Sequence, residues 1–274
     1  GMCMQDGPAG IRHAGGHSVS WQSSLNTAAT FNKELMYKVG KAQGEESYES
    51  GINSFLTPCV NIIRTPQAGR IWETYGEDPY LSGIAAEQVV RGIQDSGVIA
   101  VIKHFVGNDQ ETSRECSSSN IDVRALMDVY VEPFYRSIKY AGVASVMSAY
   151  NAYNNTFCWE NKYILTDILR GILNFKGFVM SDWWAIKNSN PDSLKNGLEV
   201  NMPGTTKPGS GDSYWRGVKD WVNQGKISEE RITEAAENII SAMYQLNQID
   251  NFPQPNIQKE TKTDERIALH RLTS

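Results

Sequence analysis

Five apolar runs in this chain each end in a polar cluster. Residues 2–5 lead into Asp6-Gly7-Pro8, and residues 53–60 are followed by Arg64, Arg70 and Glu73. Residues 98–102 run into Lys103-His104-Phe105. Residues 143–148 end at Ser148-Ala149-Tyr150-Asn151, and residues 177–181 at Ser181-Asp182-Trp183-Trp184. These clusters bring carboxylates, guanidinium, ammonium, imidazole and phenol beside two adjacent indoles. Each alone has an ordinary explanation: Asp6 before Gly-Pro is a turn former, Arg70 with Glu73 a solvated pair, Lys103-His104 a strand-end contact. Repetition at corresponding positions points instead to one convergent site. Charged forks bind hydroxyls, and indole faces stack on the apolar C–H face of a sugar. A phosphate would accept Arg and Lys but be repelled by Asp6 and Asp182.

The elements that must carry these clusters alternate. Between the apolar runs, helical periodicity is predicted over residues 30–50, with Phe31, Leu35, Met36 and Val39 on one face. Residues 78–95 read as a helix with Asp78 as cap and Pro79 in the first turn. Further helices are predicted over 122–140 despite Pro133, 162–173, 185–196, 214–224 and 229–246, the last started by Ser228. Residues 198–201 add a sixth strand. Alternation of this kind means parallel strands with helices packed outside, an α/β protein. A (β/α)8 TIM-like barrel is the expected fold, with chemistry at the C-terminal ends of its strands. Six strands fall two short of eight, so the barrel is either incomplete or contains strands too short to read. A doubly wound open sheet is the rival, weakened because no GxGxxG follows a strand and opens a helix. The glycine-rich stretch 204–211 reads as a plain loop rather than a phosphate cradle.

Composition narrows the function classes. The chain has 274 residues, 40% hydrophobic and 21% charged, which suits one large α/β unit or two small domains. A net charge of -5 offers no excess of cations for a phosphate backbone, so no nucleic-acid partner is expected. The longest apolar runs are far below the roughly 20 residues of a membrane span, so no membrane partner is expected either. Cys3, Cys59, Cys116 and Cys158 are scattered without a CxxC, which excludes a zinc site and leaves room for one bridge. His13 and His17 are four apart but flank Ala14-Gly15-Gly16, a loop sequence, so no metal is assigned. Trp215, Trp221 and Tyr214 are spaced as helical core contacts. One glycosylation triplet, Asn154-Asn155-Thr156, is present. No signal peptide is visible at Gly1-Met2-Cys3-Met4, and the compartment stays open between cytoplasmic and secreted. Residues 251–274 are polar and end like the opening of a further helix, as expected for a piece of a longer polypeptide.

Several stretches together resemble the catalytic barrel domain of glycoside hydrolase family 3, β-glucosidase type. They are Asp6-Gly-Pro-Ala-Gly-Ile-Arg12, Asn61-Ile-Ile-Arg-Thr-Pro-Gln-Ala-Gly-Arg70 with Glu73, and Gly76-Glu-Asp-Pro79. Further on come Lys103-His-Phe-Val-Gly-Asn108 with Gln110, Glu111 and Arg114, then Lys176-Gly-Phe-Val-Met-Ser-Asp182-Trp183, and Gly197-Leu-Glu-Val-Asn-Met-Pro-Gly204. The resemblance spans nearly the whole chain. It implies a retaining glycosidase that releases terminal β-D-glucose, with Asp182 as the nucleophile that forms a covalent glycosyl-enzyme. It implies Asp6, Arg70, Lys103 and His104 as hydroxyl-binding groups, and Met147, Tyr150 and Trp183 as pocket walls. Arg12 is expected just behind them. No metal or other cofactor is implied. Ser-Asp-Trp and Lys-His-Phe resemble the glucosidase pattern rather than the Ser-Asp-Cys and Lys-His-Tyr of xylose-acting members. Residues 108–120 hold no His, unlike the N-acetylglucosamine-acting branch. In the glucosidase branch the acid/base glutamate comes from a second, downstream domain. The domain expectation is therefore a catalytic barrel over 1–250 and a linker over 251–274 toward that domain. Asp109, Glu111 and Glu199 are the in-chain alternatives for the proton donor. A non-catalytic carbohydrate-binding module and the same chemistry on β-xylosides are the rival functions.

Overall fold

The computed structural model describes residues 2–187, 191–204 and 217–273. Its center is a parallel sheet of five strands: β1 (Met4–Asp6), β2 (Ser54–Leu56), β3 (Ile99–Phe105), β4 (Ser145–Ser148) and β5 (Phe178–Ser181). They lie side by side in chain order. A doubly wound sheet would reverse direction at a switch point; this one never does, and it follows barrel order. The predicted sixth strand is reduced to a single parallel bridge, Met180 with Val200. The side between Val200 and β1 is filled by an α-helix, Glu229–Gln245, whose Ile239, Ala242 and Met243 join the interior beside Met2, Met4, Val200 and Met202.

Side-chain alternation along the strands sorts the core into two layers. Leu56, Ile99, Val101, Met147, Phe178 and Met180 fill the interior. Phe55, Ala100, Ile102, Val146 and Val179 face the opposite way and pack under the helices. Continuing the inward count by two from Met2 and Met4 reaches Asp6. From Ile99 and Val101 it reaches Lys103, and from Phe178 and Met180 it reaches Asp182. Three charged groups thus crown three apolar interior columns.

Helix α1 (Lys33–Glu49) starts at Asn32, whose side chain accepts from the Leu35 amide at 3.1 Å. Helix α2 (Pro79–Gln94) starts at Asp78, as its cap and Pro79 predict. The two cross closely: a Cβ on Gly40 would stand 2.4 Å from the Val89 carbonyl oxygen, and one on Gly92 2.4 Å from that of Tyr37. Phe31 does not join the apolar face of α1. It lies before the cap with φ of 51° and is 75% exposed. Pro133 begins a helix rather than interrupting one. A short π-type segment, Leu126–Tyr130, precedes α3 (Glu132–Ala141), and the proline occupies the first turn of α3, where its missing N–H costs nothing. Of the helix predicted over 185–196, Asp192–Lys195 is helical and 188–190 lie outside the described residues. Of that over 214–224, Val218–Asn223 is helical, and Tyr214 and Trp215 lie outside the described residues, as does most of 204–211. All four cysteines are free thiols.

The polar tail packs against the body instead of running free. Its helix, Asp264–Leu272, brings Arg266 to Glu49 at 2.8 Å and to Glu45 at 3.4 Å. Buried Glu46 accepts from the Val19 amide, the Trp21 indole and the Thr261 hydroxyl, so one carboxylate ties an early loop to the tail.

Glu199 is a structural hub under β5. Its fully buried carboxylate accepts from Arg231 at 2.7 Å, Arg170 at 2.9 Å and the Val179 amide at 2.6 Å. A Glu199→Gln variant deprives Arg170 of its carboxylate, leaves Arg231 with Glu234 alone, and sets an NH2 donor against either the Val179 amide or the arginines. It is expected to cost about 3–5 kcal/mol, read as a fall on the order of 10 °C in melting temperature. An unchanged melting curve would contradict this role.

Candidate active site

The C-terminal strand ends open into a cleft of about 620 Å³. Among the described residues, Asp6, Arg12, Arg70, Glu73, His104, Arg114, Asp182, Trp72, Trp183 and Trp184 supply its functional groups. A larger cavity of about 760 Å³ lies by the N-termini of α1 and α2, with Leu25, Phe31, Met36, Tyr75 and Tyr80 among its walls. Its lining is mainly apolar, with Lys33, Glu77 and Asp78 as its charged members, so the cleft that gathers carboxylates, guanidinium groups, imidazole and indoles at the strand ends is the better candidate for chemistry.

Asp6 sits at the tip of β1. Its Oδ1 accepts from Lys103 Nζ at 3.1 Å and its Oδ2 from Arg12 Nη1 at 3.1 Å. Burial pushes this carboxyl upward, but Lys103 and then Arg12 outweigh it, and the net pKa lies below the ordinary carboxylate value. Asp6 is therefore ionised, with lone pairs left over for hydroxyl donors. Lys103 is buried at the head of the β3 inward column and reaches the cleft through this pair.

Lys103 and His104 are adjacent, and a regular strand would send them to opposite faces. The register of β3 on β4 shifts between Ile102 and Phe105, and both side chains serve the rim. The His104 ring is gripped on both edges. Nδ1 lies 2.9 Å from Asn61 Oδ1, which also accepts the His104 amide. Nε2 lies 3.2 Å from Arg70 Nη1. Arg70 has only donors, so Nε2 accepts and Nδ1 carries the proton toward Asn61. Burial first, then Arg70, Lys103 and Arg114, hold the His104 pKa well below its ordinary value, and the ring is neutral. Glu73 fixes Arg70 with a two-point grip at 2.8 and 2.9 Å.

Asp182 stands at the tip of β5, largely buried, with Oδ1 accepting the Trp183 amide at 2.7 Å. Its Oδ2 lies 3.5 Å from His104 Nε2. Burial raises its pKa above the ordinary carboxylate value, against the opposing pull of Lys103, the Trp183 amide, Arg70 and Arg114. Tyr150 backs the same turn, donating from its phenol to the Trp183 carbonyl at 2.8 Å. Its own ionisation is pushed up by burial and by the Asp182 charge. Met147 lies beneath, in the interior layer with Met180 and Trp183.

The arrangement therefore brings Asp6, Arg12, Arg70, Lys103, His104, Trp183 and Asp182 around one cleft, with Tyr150 behind and Met147 below. Residue types alone do not single out Asn61, which sets the His104 tautomer, or Trp72, which is half exposed at the mouth. They give Arg114 no role of its own. Asn61 precedes the Arg-rich loop, and Arg114 follows Glu111 by three residues; both spacings were available as signals. Asp109, by contrast, is buried with Oδ1 accepting the Ile62 amide, and burial pushes its pKa up to about 7.

Chemically, the site combines a semi-buried carboxylate with a fixed neutral imidazole, cationic forks and indole faces. Cations and carboxylates nearly balance across it, which suits a neutral polyol better than an anion. Residues 2–242 match the description "Glycosyl hydrolase family 3 N terminal domain". The chain is 39% identical over 270 residues to a probable beta-glucosidase F of Neosartorya fischeri, covering 95% of this chain and 31% of that protein. It is 41% identical over 256 residues to a probable beta-glucosidase L of Aspergillus terreus, covering 92% of this chain and 34% of that protein. Among solved structures it superposes on beta-glucosidase D2-BGL from Chaetomella raphigera with a TM-score of 0.93 at 37% identity, covering 99% of this chain and 39% of that one. It superposes on beta-glucosidase 3B from Thermotoga neapolitana in complex with glucose with a TM-score of 0.89 at 35% identity, with the same two coverages of 99% and 39%. The chain spans about a third of the length of the curated relatives it matches.

Proposed function

The chain belongs to glycosyl hydrolase family 3 through its N terminal domain, and from that premise we propose that it is the sugar-holding, nucleophile-bearing part of a retaining β-glucosidase. The observation that carries this reading is the Asp182 carboxylate, set at the tip of β5 and facing the same cleft as His104 and Arg70. In its ionised form Asp182 attacks the anomeric carbon as the glycosidic C–O bond breaks, giving a covalent glycosyl ester. Water then cleaves the ester from the opposite face, with net retention. Asp6, Lys103, Arg70 and His104 hold the glucose hydroxyls, and Trp183 stacks beside the ring. Asp6 favors a hexose over a pentose, because its carboxylate can hold the exocyclic hydroxymethyl.

A retaining mechanism needs a second carboxyl, about 5–5.5 Å from the first, to protonate the leaving oxygen. Glu199 is engaged by two arginines, Glu111 by Arg114, and Asp109 is buried against Ile62. We assign the acid/base role to a glutamate of a second domain, reached through residues 251–274 from a barrel over 1–250. The length of the relatives is consistent with such a domain.

A 2-deoxy-2-fluoro-β-glucoside with a good leaving group tests the reading. Peptide mapping of the trapped complete protein is expected to find the label on Asp182 alone. Label on a different carboxylate would overturn the assignment. In a panel of aryl glycosides, glucoside is expected to exceed xyloside by at least about tenfold in kcat/KM. A preference for xyloside would reverse the sugar assignment and leave the nucleophile standing. Glucose binding without hydrolysis by the complete protein would favor a carbohydrate-binding module.

A further inference from the structure

The loop after β3 carries Arg114 to the wall of the cleft. Glu111 accepts from its Nη1 at 2.6 Å, and its guanidinium lies 4.4 Å above the ring of Tyr150. The Tyr150 phenol donates to the Trp183 carbonyl, and the Trp183 amide donates to Asp182. A continuous chain of contacts thus runs from the loop after β3, across an aromatic ring that follows β4, to the carboxylate that follows β5. A second tie joins the outer two loops, with Lys187 Nζ 2.7 Å from Glu115.

We propose that Arg114 is a positioning residue that clamps Tyr150, and through it the 182–184 turn, so that Asp182 is held toward the reacting carbon. The proposal rests on the reading of Asp182 as nucleophile. A guanidinium held by Glu111 and seated over the phenol ring restrains that ring, and with it the phenol oxygen on the Trp183 carbonyl. The same cation also works electrostatically. Asp182 faces Lys103 and His104 from β3, Arg70 from the loop after β2, and Tyr150 from the loop after β4. Arg114 adds a positive charge from the loop after β3 and opposes the effect of burial on that carboxylate. Arg114 itself faces Glu111, Tyr150, Asp182 and His104.

A simple loop staple between Arg114 and Glu111 would affect folding but not the ionisation of Asp182, and this separates the two roles. In the complete protein, Arg114→Gln is expected to lower kcat about tenfold or more with a KM change under about threefold. The acid limb of the pH–rate profile is expected to move up by about half to one pH unit. Arg114→Lys keeps the charge but loses the guanidinium that joins Glu111 to the Tyr150 ring, so it is expected to restore the limb and only part of kcat. Adding Arg114→Gln to Tyr150→Phe is expected to cost much less than the two changes separately. An unmoved limb and unchanged kcat in Arg114→Gln, or full additivity with Tyr150→Phe, overturns the proposal. Should Arg114→Gln fail to fold, a native kcat in Arg114→Lys overturns it. Carboxyl-carbon NMR titration of Asp182, compared between the native protein and Arg114→Gln, reads the same coupling without turnover. An Asp182→Asn variant with full activity would instead sink the nucleophile assignment, while a dead Asp182→Asn beside a silent Arg114→Gln sinks this proposal alone.

Discussion

An Asp182→Asn variant of the complete protein is expected to lose at least about 10⁴-fold in kcat on aryl β-glucosides, with glucose affinity nearly unchanged. The substitution is close to isosteric, so the Trp183 amide keeps an oxygen acceptor and the β5 turn keeps its shape. What disappears is the anionic oxygen proposed to form the glycosyl ester. On the proposed reading hydroxyl recognition resides elsewhere, chiefly on Asp6, which Lys103 holds, and on Arg70, which Glu73 holds, so binding and turnover are expected to separate. Asp182→Gly with added azide supplies an external anion in the vacated space, and the expected product is the α-glucosyl azide. Undiminished cleavage by Asp182→Asn would remove the basis for the whole mechanism.

Lys103→Met is expected to lower kcat/KM by about 10²–10³-fold and to move the acid limb up by about one to two pH units. Lys103 leads the charges that hold down Asp182, and it is the main one holding down Asp6. Its removal raises both pKa values. A carboxylate with a raised pKa is protonated over more of the acidic range, so activity falls earlier as the pH drops. In that acidic range Asp6 too is protonated more often and then accepts hydroxyl donors less well. Lys103→Arg is not expected to rescue, because a guanidinium does not fit the slot of a side chain only 2% exposed. The pH dependence of kcat/KM, with a melting curve to confirm folding, measures both effects. A limb that stays in place would show that Lys103 does not govern Asp182.

Much of this architecture is legible in residue types alone. The five inner strands, the caps Asp78 and Ser228 and the polar cluster after each strand follow from periodicity and local chemistry. What periodicity conceals is geometry that depends on neighbors. The sixth strand shrinks to a bridge at Val200 because a helix, rather than a further strand, occupies the open side of the interior. Phe31 fits the helical spacing but falls on the wrong side of the Asn32 cap. A three-stranded sheet of Ser118–Ser119, Ala152–Tyr153 and Thr156–Phe157 goes unread because each strand has two residues. Its hairpin did leave a signal, for Asn154 and Asn155 both adopt positive φ in the tight turn that such a pair favors. In the cleft, Asp6, Lys103 and Asp182 are available from strand ends, whereas the Asn61–His104–Arg70 chain needs a fold to bring the loop after β2 against the end of β3.

The crowning of three apolar columns by Asp6, Lys103 and Asp182 has a consequence for how this domain can vary. Each charge owes its direction to an even number of steps from the barrel floor. Loops may lengthen freely without disturbing that parity, but one residue gained or lost within β1, β3 or β5 would turn an acid or an amine outward beneath the helices. Diversification is thereby channelled into the surface connections, and the inner staves behave as fixed-length rulers.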